Sequence, residues 1–266
     1  MGQGSWHSIF RDDFDGPMGS AVSSSNWRHD LGYCYPGCPA ANWGTGEIAR
    51  HTDSTKNASL DGSGHLAITP WREPDGSWTS ARIETRRSDF AIPEGGTLRM
   101  EASLKLPAVD ITTGKGYWPA FWAMGEPIRQ SGYTGWPQWG EVDVMEHING
   151  RPEIHSALHA GHPETNQNLA STPFECSDCD DKFHLYAVEL DAHEARYYVD
   201  GKVHHRVTEE QVGKTVWKDA TQHSFFLILN VAVGGSWPSQ LGGGPDGTTV
   251  DGKPMLVDHV AVYTRK

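Results

Sequence analysis

His184-Leu-Tyr-Ala-Val-Glu-Leu190, Asp191-Ala-His-Glu194, Ala195-Arg-Tyr-Tyr-Val199 and Asp200-Gly201 read in turn as strand, turn, strand and turn. The two runs are rich in β-branched and aromatic residues, and Asp-Gly is a strong hairpin dipeptide because a tight turn needs positive φ at both central positions. The same pattern extends outward to His65-Leu-Ala-Ile-Thr69 and Thr97-Leu-Arg-Met-Glu-Ala-Ser-Leu-Lys105. Phe225 to Val233 is almost continuously apolar, as in a strand buried on both faces, and Met255 to Tyr263 alternates. Only Glu209 to Lys218 offers a helical turn. Short strands with turns roughly every ten residues predict an all-β antiparallel sandwich or jelly roll. With no linker, repeat or low-complexity tract, one domain over residues 1–266 is expected. The Gly/Pro-rich loop Gly234 to Gly252 is long, and long ordered loops often carry function.

The chain carries 22 Lys and Arg against 34 Asp and Glu, a net charge of −12. Nucleic acids and anionic membranes need clustered basic residues, so both are excluded as main partners. No stretch approaches the roughly 20 apolar residues of a membrane span. The opening Met1-Gly2-Gln3-Gly4 reads as an added lead on a mature domain, not as a targeting segment. The four cysteines form two close pairs, Cys34/Cys38 and Cys176/Cys179. Their turn-rich and acidic contexts favour two local disulfides over a zinc site or a redox pair, although all three remain open.

The segment richest in chemistry is Trp136-Pro-Gln-Trp-Gly-Glu141-Val-Asp143-Val-Met-Glu146-His147. On a strand Glu141 and Asp143 share a face, while strict alternation sends Glu146 to the other. A one-residue bulge at Val144-Met145 restores Glu146 to the acid face, and bulges are frequent beside active sites. Three clustered carboxylates repel one another, and no basic residue stands beside them in sequence. Catalysis has a use for the cost, because proximity splits the pKa values into an ionised and a protonated partner. Retaining glycosidases need carboxyl groups about 5–5.5 Å apart. A solvated acidic edge or a calcium site is the plainer alternative. The interleaved Val142, Val144 and Met145 and the bracketing tryptophans argue against a solvated edge.

Gly-Glu141-Val-Asp143-Val-Met-Glu146 resembles the signature of glycoside hydrolase family 16, in the bulged form of its laminarinase-like endo-β-1,3-glucanases. Phe10-Arg-Asp-Asp13-Phe-Asp-Gly16, Asn42-Trp43-Gly-Thr-Gly-Glu47, Thr79-Ser-Ala-Arg82-Ile, Gly116-Tyr-Trp118-Pro-Ala-Phe-Trp122, Ala157-Leu-His159, Leu229-Asn230 through Trp237-Pro and Val257-Asp258 resemble further family segments in the family's order. The resemblance implies a concanavalin-like jelly-roll sandwich with a concave cleft. It implies Glu141 as nucleophile, Glu146 as general acid and then base, and Asp143 as a hydrogen-bonding partner of the nucleophile. The expected reaction is retaining endo-hydrolysis of β-1,3-glucan, with mixed β-1,3-1,4-glucan as a further substrate. A glucan-binding lectin on the same scaffold is the alternative from another class. An agarase, carrageenase, galactanase or transglycosylase is the alternative within the class. Trp139 departs from the pattern, standing where the family more often has a small residue, so the cleft is expected to differ in shape there.

Aromatic platforms bind the apolar faces of sugars, and Trp118, Trp122, Trp136 and Trp237 are the candidates. Arg82 and His159 are expected to donate to sugar hydroxyls or, for His159, to contact Glu146; Asn42 and Glu47 are weaker binding candidates. Fourteen histidines show no HExxH spacing, so no catalytic cofactor is expected. The resemblance also implies a structural Ca²⁺ on the backbone carbonyls of Asp13 and Gly64 and the Asp258 side chain. The partner expected is a β-glucan and the state a monomer. A secreted, extracellular location follows from the polymeric substrate, the paired cysteines and the family.

Overall fold

The computed structural model describes residues 4–266; Met1, Gly2 and Gln3, on which most of the expected added lead falls, lie outside the described residues. An eight-stranded and a nine-stranded sheet dominate, with a small three-stranded sheet beside them. Pairing within the two large sheets is antiparallel, and the pair Ala49–His51 with Trp78–Ser80 is parallel. The large sheets share one cluster of buried side chains, with Met100, Val188, Tyr197 and Val262 from one and Phe121, Val142, Leu158 and Leu229 from the other. The Tyr197 hydroxyl donates to the Ala157 carbonyl at 2.8 Å, satisfying its one polar atom across the sandwich.

The hairpin forms as its dipeptide predicts. His184–Leu190 pairs with Glu194–Val199, which pairs with Lys202–Thr208 through the tight turn Asp200 (φ 49°) and Gly201 (φ 76°). The apolar run becomes Ser224–Val233, buried from Phe225 onward, paired with Tyr117–Gly125 on one side and Arg82–Thr85 on the other. Glu209 to Lys218 becomes two helices, Glu209–Val212 and Lys214–Thr221, the first opened by a Thr208/Gln211 capping box. Two short helices were not expected, Pro127–Gln130 and Ser236–Gln240. At four and five residues neither can display a helical period.

The long loop is tied down. Lys115 Nζ pairs with Asp246 at 2.7 Å, Thr249 Oγ1 donates to the Lys115 carbonyl at 3.0 Å, and Asn149 Nδ2 donates to the Pro238 carbonyl at 2.9 Å. Cys34–Cys38 and Cys176–Cys179 are disulfides, each closing its own loop. A zinc site drawing one pair from each segment is thereby replaced. Among the described residues no helix is long and apolar enough to cross a membrane.

Candidate active site

The acid face is set by register. Met124, Trp122 and Ala120, alternate residues of Tyr117–Gly125, oppose Glu141, Asp143 and Glu146 in that order. Equal spacing on one strand therefore meets unequal spacing on the other, and the difference is a bulge. On the far side Asp143 faces Ala157 and Glu146 faces His155, so Val144 and Met145 together oppose Ser156. The bulge falls at the expected pair. Val142, Val144 and Met145 all enter the core, while Glu141, Asp143 and Glu146 line one cavity. Trp118, Trp122, Arg82, Asn230, Tyr35, Trp43 and Tyr133 share that wall.

Each glutamate receives an indole N–H. Trp118 Nε1 donates to Glu146 Oε1 at 2.9 Å, and Trp136 Nε1 donates to Glu141 Oε2 at 3.0 Å. His159, opposite Glu141 in the ladder, places Nε2 3.4 Å from Asp143 Oδ2 and 3.9 Å from Glu141 Oε1. A shared imidazole thus bridges Asp143 and Glu141, and the ion-pair contacts of His159 are to these two acids instead of Glu146.

Charge explains the arrangement. Two like charges about 6.6 Å apart, the spacing of i and i+2 on a strand, repel by about 2.5 kcal/mol at an effective dielectric of about 20. Burial and the Asp143 charge push Glu141 up to about 7, against His159 and the Trp136 hydrogen bond. Burial and Asp143 push Glu146 well above the carboxylate range. Burial opposes the His159 imidazolium, but Asp143 and the two glutamates outweigh it and hold its pKa at about 10. His159 and Arg82 therefore both set positive charge beside the acids, and Glu146 keeps its proton to higher pH than an ordinary carboxyl. The cavity can donate a proton from one carboxyl while presenting another as a nucleophile.

The other predicted residues divide. Trp118 and Trp122 stand on the cavity wall, Trp122 with its Nε1 on Asn230 Oδ1 at 2.7 Å; Trp136 lines it while remaining 38% exposed. Trp237 is set outside the wall, edge-on to Trp118 with ring centroids 5.7 Å apart. Arg82 lines the cavity, yet its Nε is on Asp30 at 3.1 Å and its Nη2 on the Tyr35 hydroxyl at 2.6 Å. Its guanidinium lies 4.5 Å from the Trp43 ring and 4.7 Å from the Trp122 ring, so it holds the aromatic residues of the wall together. Glu47 reaches the cavity with a carboxylate already on the buried His51 Nε2 at 2.9 Å. Asn42 holds its own loop by donating to the Glu47 carbonyl at 2.9 Å and is not on the wall. Trp139 packs in the apolar cluster of Met124, Ile128 and Phe226 beneath the wall.

Sequence reasoning missed Tyr35, Trp43, Tyr133 and Asn230 as site residues. Tyr35, carried by the Cys34–Cys38 loop, stacks on Tyr133 at 3.5 Å between centroids. Asn230 did leave a signal, as the one amide inside the apolar run Phe225 to Val233.

Two groups of described residues place three ligand-type atoms within 4.8 Å of one another. In Cys176, Cys179 and His184 the sulfurs are joined to each other. In Glu141, Asp143 and His159 the imidazole already supplies the counter-charge. For the implied calcium site, the carbonyls of Asp13 and Gly64 accept no hydrogen bond among the described residues. Asp258 is half exposed, with Oδ2 on His259 Nδ1 at 2.7 Å and its other oxygen open. Oxygen donors are the ligand type that suits a hard cation.

Known proteins resemble the chain along nearly its whole length. An endo-1,3-β-glucanase structure from Streptomyces sioyaensis is 44% identical and superimposes with a TM-score of 0.93 over 97% of this chain and 96% of that one. An endo-β-1,3-glucanase from Pyrococcus furiosus is 33% identical, with a TM-score of 0.79 over 99% and 96%. A β-glucanase from Rhodothermus marinus is 30% identical over 97% of this chain and 85% of its own. The profile of glycosyl hydrolases family 16 matches residues 46–251, and with the bulged acid strand at its centre the chain belongs to that family.

Proposed function

We propose that the protein is a retaining endo-1,3-β-glucanase acting on laminarin-type β-glucan. The observation that carries this is the bulge, which turns Glu146 onto the face of Glu141 and Asp143 inside an aromatic-walled cavity. Glu141 attacks the anomeric carbon while Glu146 protonates the departing oxygen; Glu146 then activates the water that resolves the glycosyl-enzyme. Asp143 and His159 hold the charge balance between them. Trp118, Trp122 and Trp136 offer faces to sugar rings. Reducing ends are expected to accumulate from laminarin, with short oligosaccharides appearing early. Binding of laminarin without cleavage overturns the enzyme in favour of a lectin. Cleavage confined to agarose, carrageenan or galactan reassigns the substrate, and equal rates on barley mixed-linkage glucan widen it.

Two local disulfides and a polymeric substrate support a secreted protein, since such bridges persist in oxidising compartments. The carbonyl oxygens of Asp13 and Gly64 and the Asp258 side chain would hold a structural Ca²⁺. Millimolar Ca²⁺ is expected to raise Tm over a chelated sample, because a ligand bound only by the folded state adds about 2.7 kcal/mol at 100 times its Kd. An identical midpoint in both samples removes the metal.

A further inference from the structure

We infer that Ser156, backed by His204, is the positioning residue that locks the bulge on which Glu146 turns into the cleft. This rests on the assignment of Glu146 as proton donor made above. An inserted residue leaves ladder groups unmatched, and buried backbone groups must find partners. The partner here is a side chain. Val144 is buried in the core, and its carbonyl accepts the Ser156 hydroxyl at 2.8 Å. Ser156, fully buried, is the single residue facing Val144 and Met145. Its own amide and carbonyl are turned the other way, onto Ser171 Oγ at 3.0 Å and Ser171 N at 2.7 Å.

A serine hydroxyl has one hydrogen. With that hydrogen on the Val144 carbonyl, Ser156 Oγ can only accept from His204 Nε2, 3.1 Å away. His204 stands on Lys202–Thr208 of the opposite sheet. Burial and the neighbouring His205 hold its pKa down at about 4, so the ring is neutral, and the hydroxyl's donation to Val144 assigns the ring's one hydrogen to Nε2. The chain from His204 Nε2–H through Ser156 Oγ–H to the Val144 carbonyl therefore ties the bulge to the far layer of the sandwich. The alternative to the bulge is regular alternation, which turns Met145 toward the cleft and Glu146 into the core. Holding Val144 in place is therefore holding Glu146 on its working side.

The test compares laminarin with an aryl β-laminarioligoside bearing a dinitrophenolate leaving group, with and without sodium azide. On the aryl substrate Glu141 displaces the phenolate, which leaves with its electron pair and needs no proton. Azide then attacks the anomeric carbon, giving a glycosyl azide and freeing the Glu141 carboxylate. Neither step uses Glu146. Ser156→Ala is expected to lose on the order of 10- to 100-fold in kcat on laminarin, the cost of a misplaced group, with little change in KM. Azide with the aryl substrate is expected to restore it, as it restores Glu146→Ala. Ser156→Thr, which keeps the hydroxyl, and His204→Gln, which keeps a donor, are expected to retain most activity. Should Ser156→Ala fail to fold, His204→Leu carries the same comparison. Parent-like kcat in Ser156→Ala or in a folded His204→Leu overturns the inference, and so does a loss that azide leaves untouched while rescuing Glu146→Ala. A fully active Glu146→Ala overturns the proton-donor assignment itself.

Discussion

Glu146→Gln is expected to lower kcat on laminarin by on the order of 10²–10⁴-fold, the contribution of a positioned general acid, and Glu141→Gln by at least as much. The glutamine keeps the shape of each side chain and can still accept the indole hydrogen of Trp118 or Trp136. What it removes is proton transfer in one case and the attacking oxygen in the other. The two variants separate on an aryl glycoside whose leaving group needs no proton. Glu146→Gln is expected to release a burst of phenolate, equal to the enzyme present, and then stall, because no base activates the resolving water. Glu141→Gln is expected to release none. Rapid-quench measurement of that burst checks both assignments at once. A burst in Glu141→Gln, or steady turnover near the parent rate in either variant, contradicts the double displacement.

Asp143→Asn is expected to move the whole pH profile toward acid. The Asp143 charge raises both Glu141 and Glu146, so neutralising it lowers both. The acid limb of kcat/KM reports the ionisation of Glu141 as nucleophile, and the alkaline limb the loss of the Glu146 proton. Both limbs therefore shift down. The displacement corresponds to about 2.5 kcal/mol at an effective dielectric of about 20, or nearly two pH units. His159 also loses its principal partner and with it part of its positive charge, which trims the shift without reversing it. On the alkaline side the variant is expected to fall below the parent, because Glu146 gives up its proton at lower pH once the Asp143 charge is gone. The kcat/KM profile of parent and variant from acid to alkaline pH checks the sign. An unmoved optimum, or one displaced toward alkali, rules out Asp143 as the charge that lifts the pair.

The location of the chemistry also explains the behaviour of Arg82. Alone in sequence, an arginine near a family motif suggests a donor to sugar. In the fold it is 4% exposed, bound to Asp30 and Tyr35 and flanked by Trp43 and Trp122. Burial and the Arg82 charge act in opposite directions on Asp30, and with Glu84 nearby its carboxyl is pushed up to about 7. The wall of the cleft therefore rests on a buried charged layer. Glu84, fully buried, extends that layer to Arg28, Arg129 and Tyr133.

Local rules carried the strands, the Asp200-Gly201 turn and the bulge at Val144-Met145. Each depends on a period of two or on the conformational demand of one or two residues, and both can be read along the chain. The spacing of Glu141, Asp143 and Glu146 with apolar residues between them admitted one arrangement that buries Val142, Val144 and Met145 and keeps three acids together. Only the tertiary structure decided which loops close the cleft and which partner each polar group takes. Tyr35 reaches Tyr133 across 98 positions of sequence, counting from 35 to 133, and His204 meets Ser156 from the opposite sheet. The physical reason is that side-chain hydrogen bonds and ring stacking act over a few ångströms of space. Nothing in the order of residues encodes such a meeting until the sheets have paired and stacked.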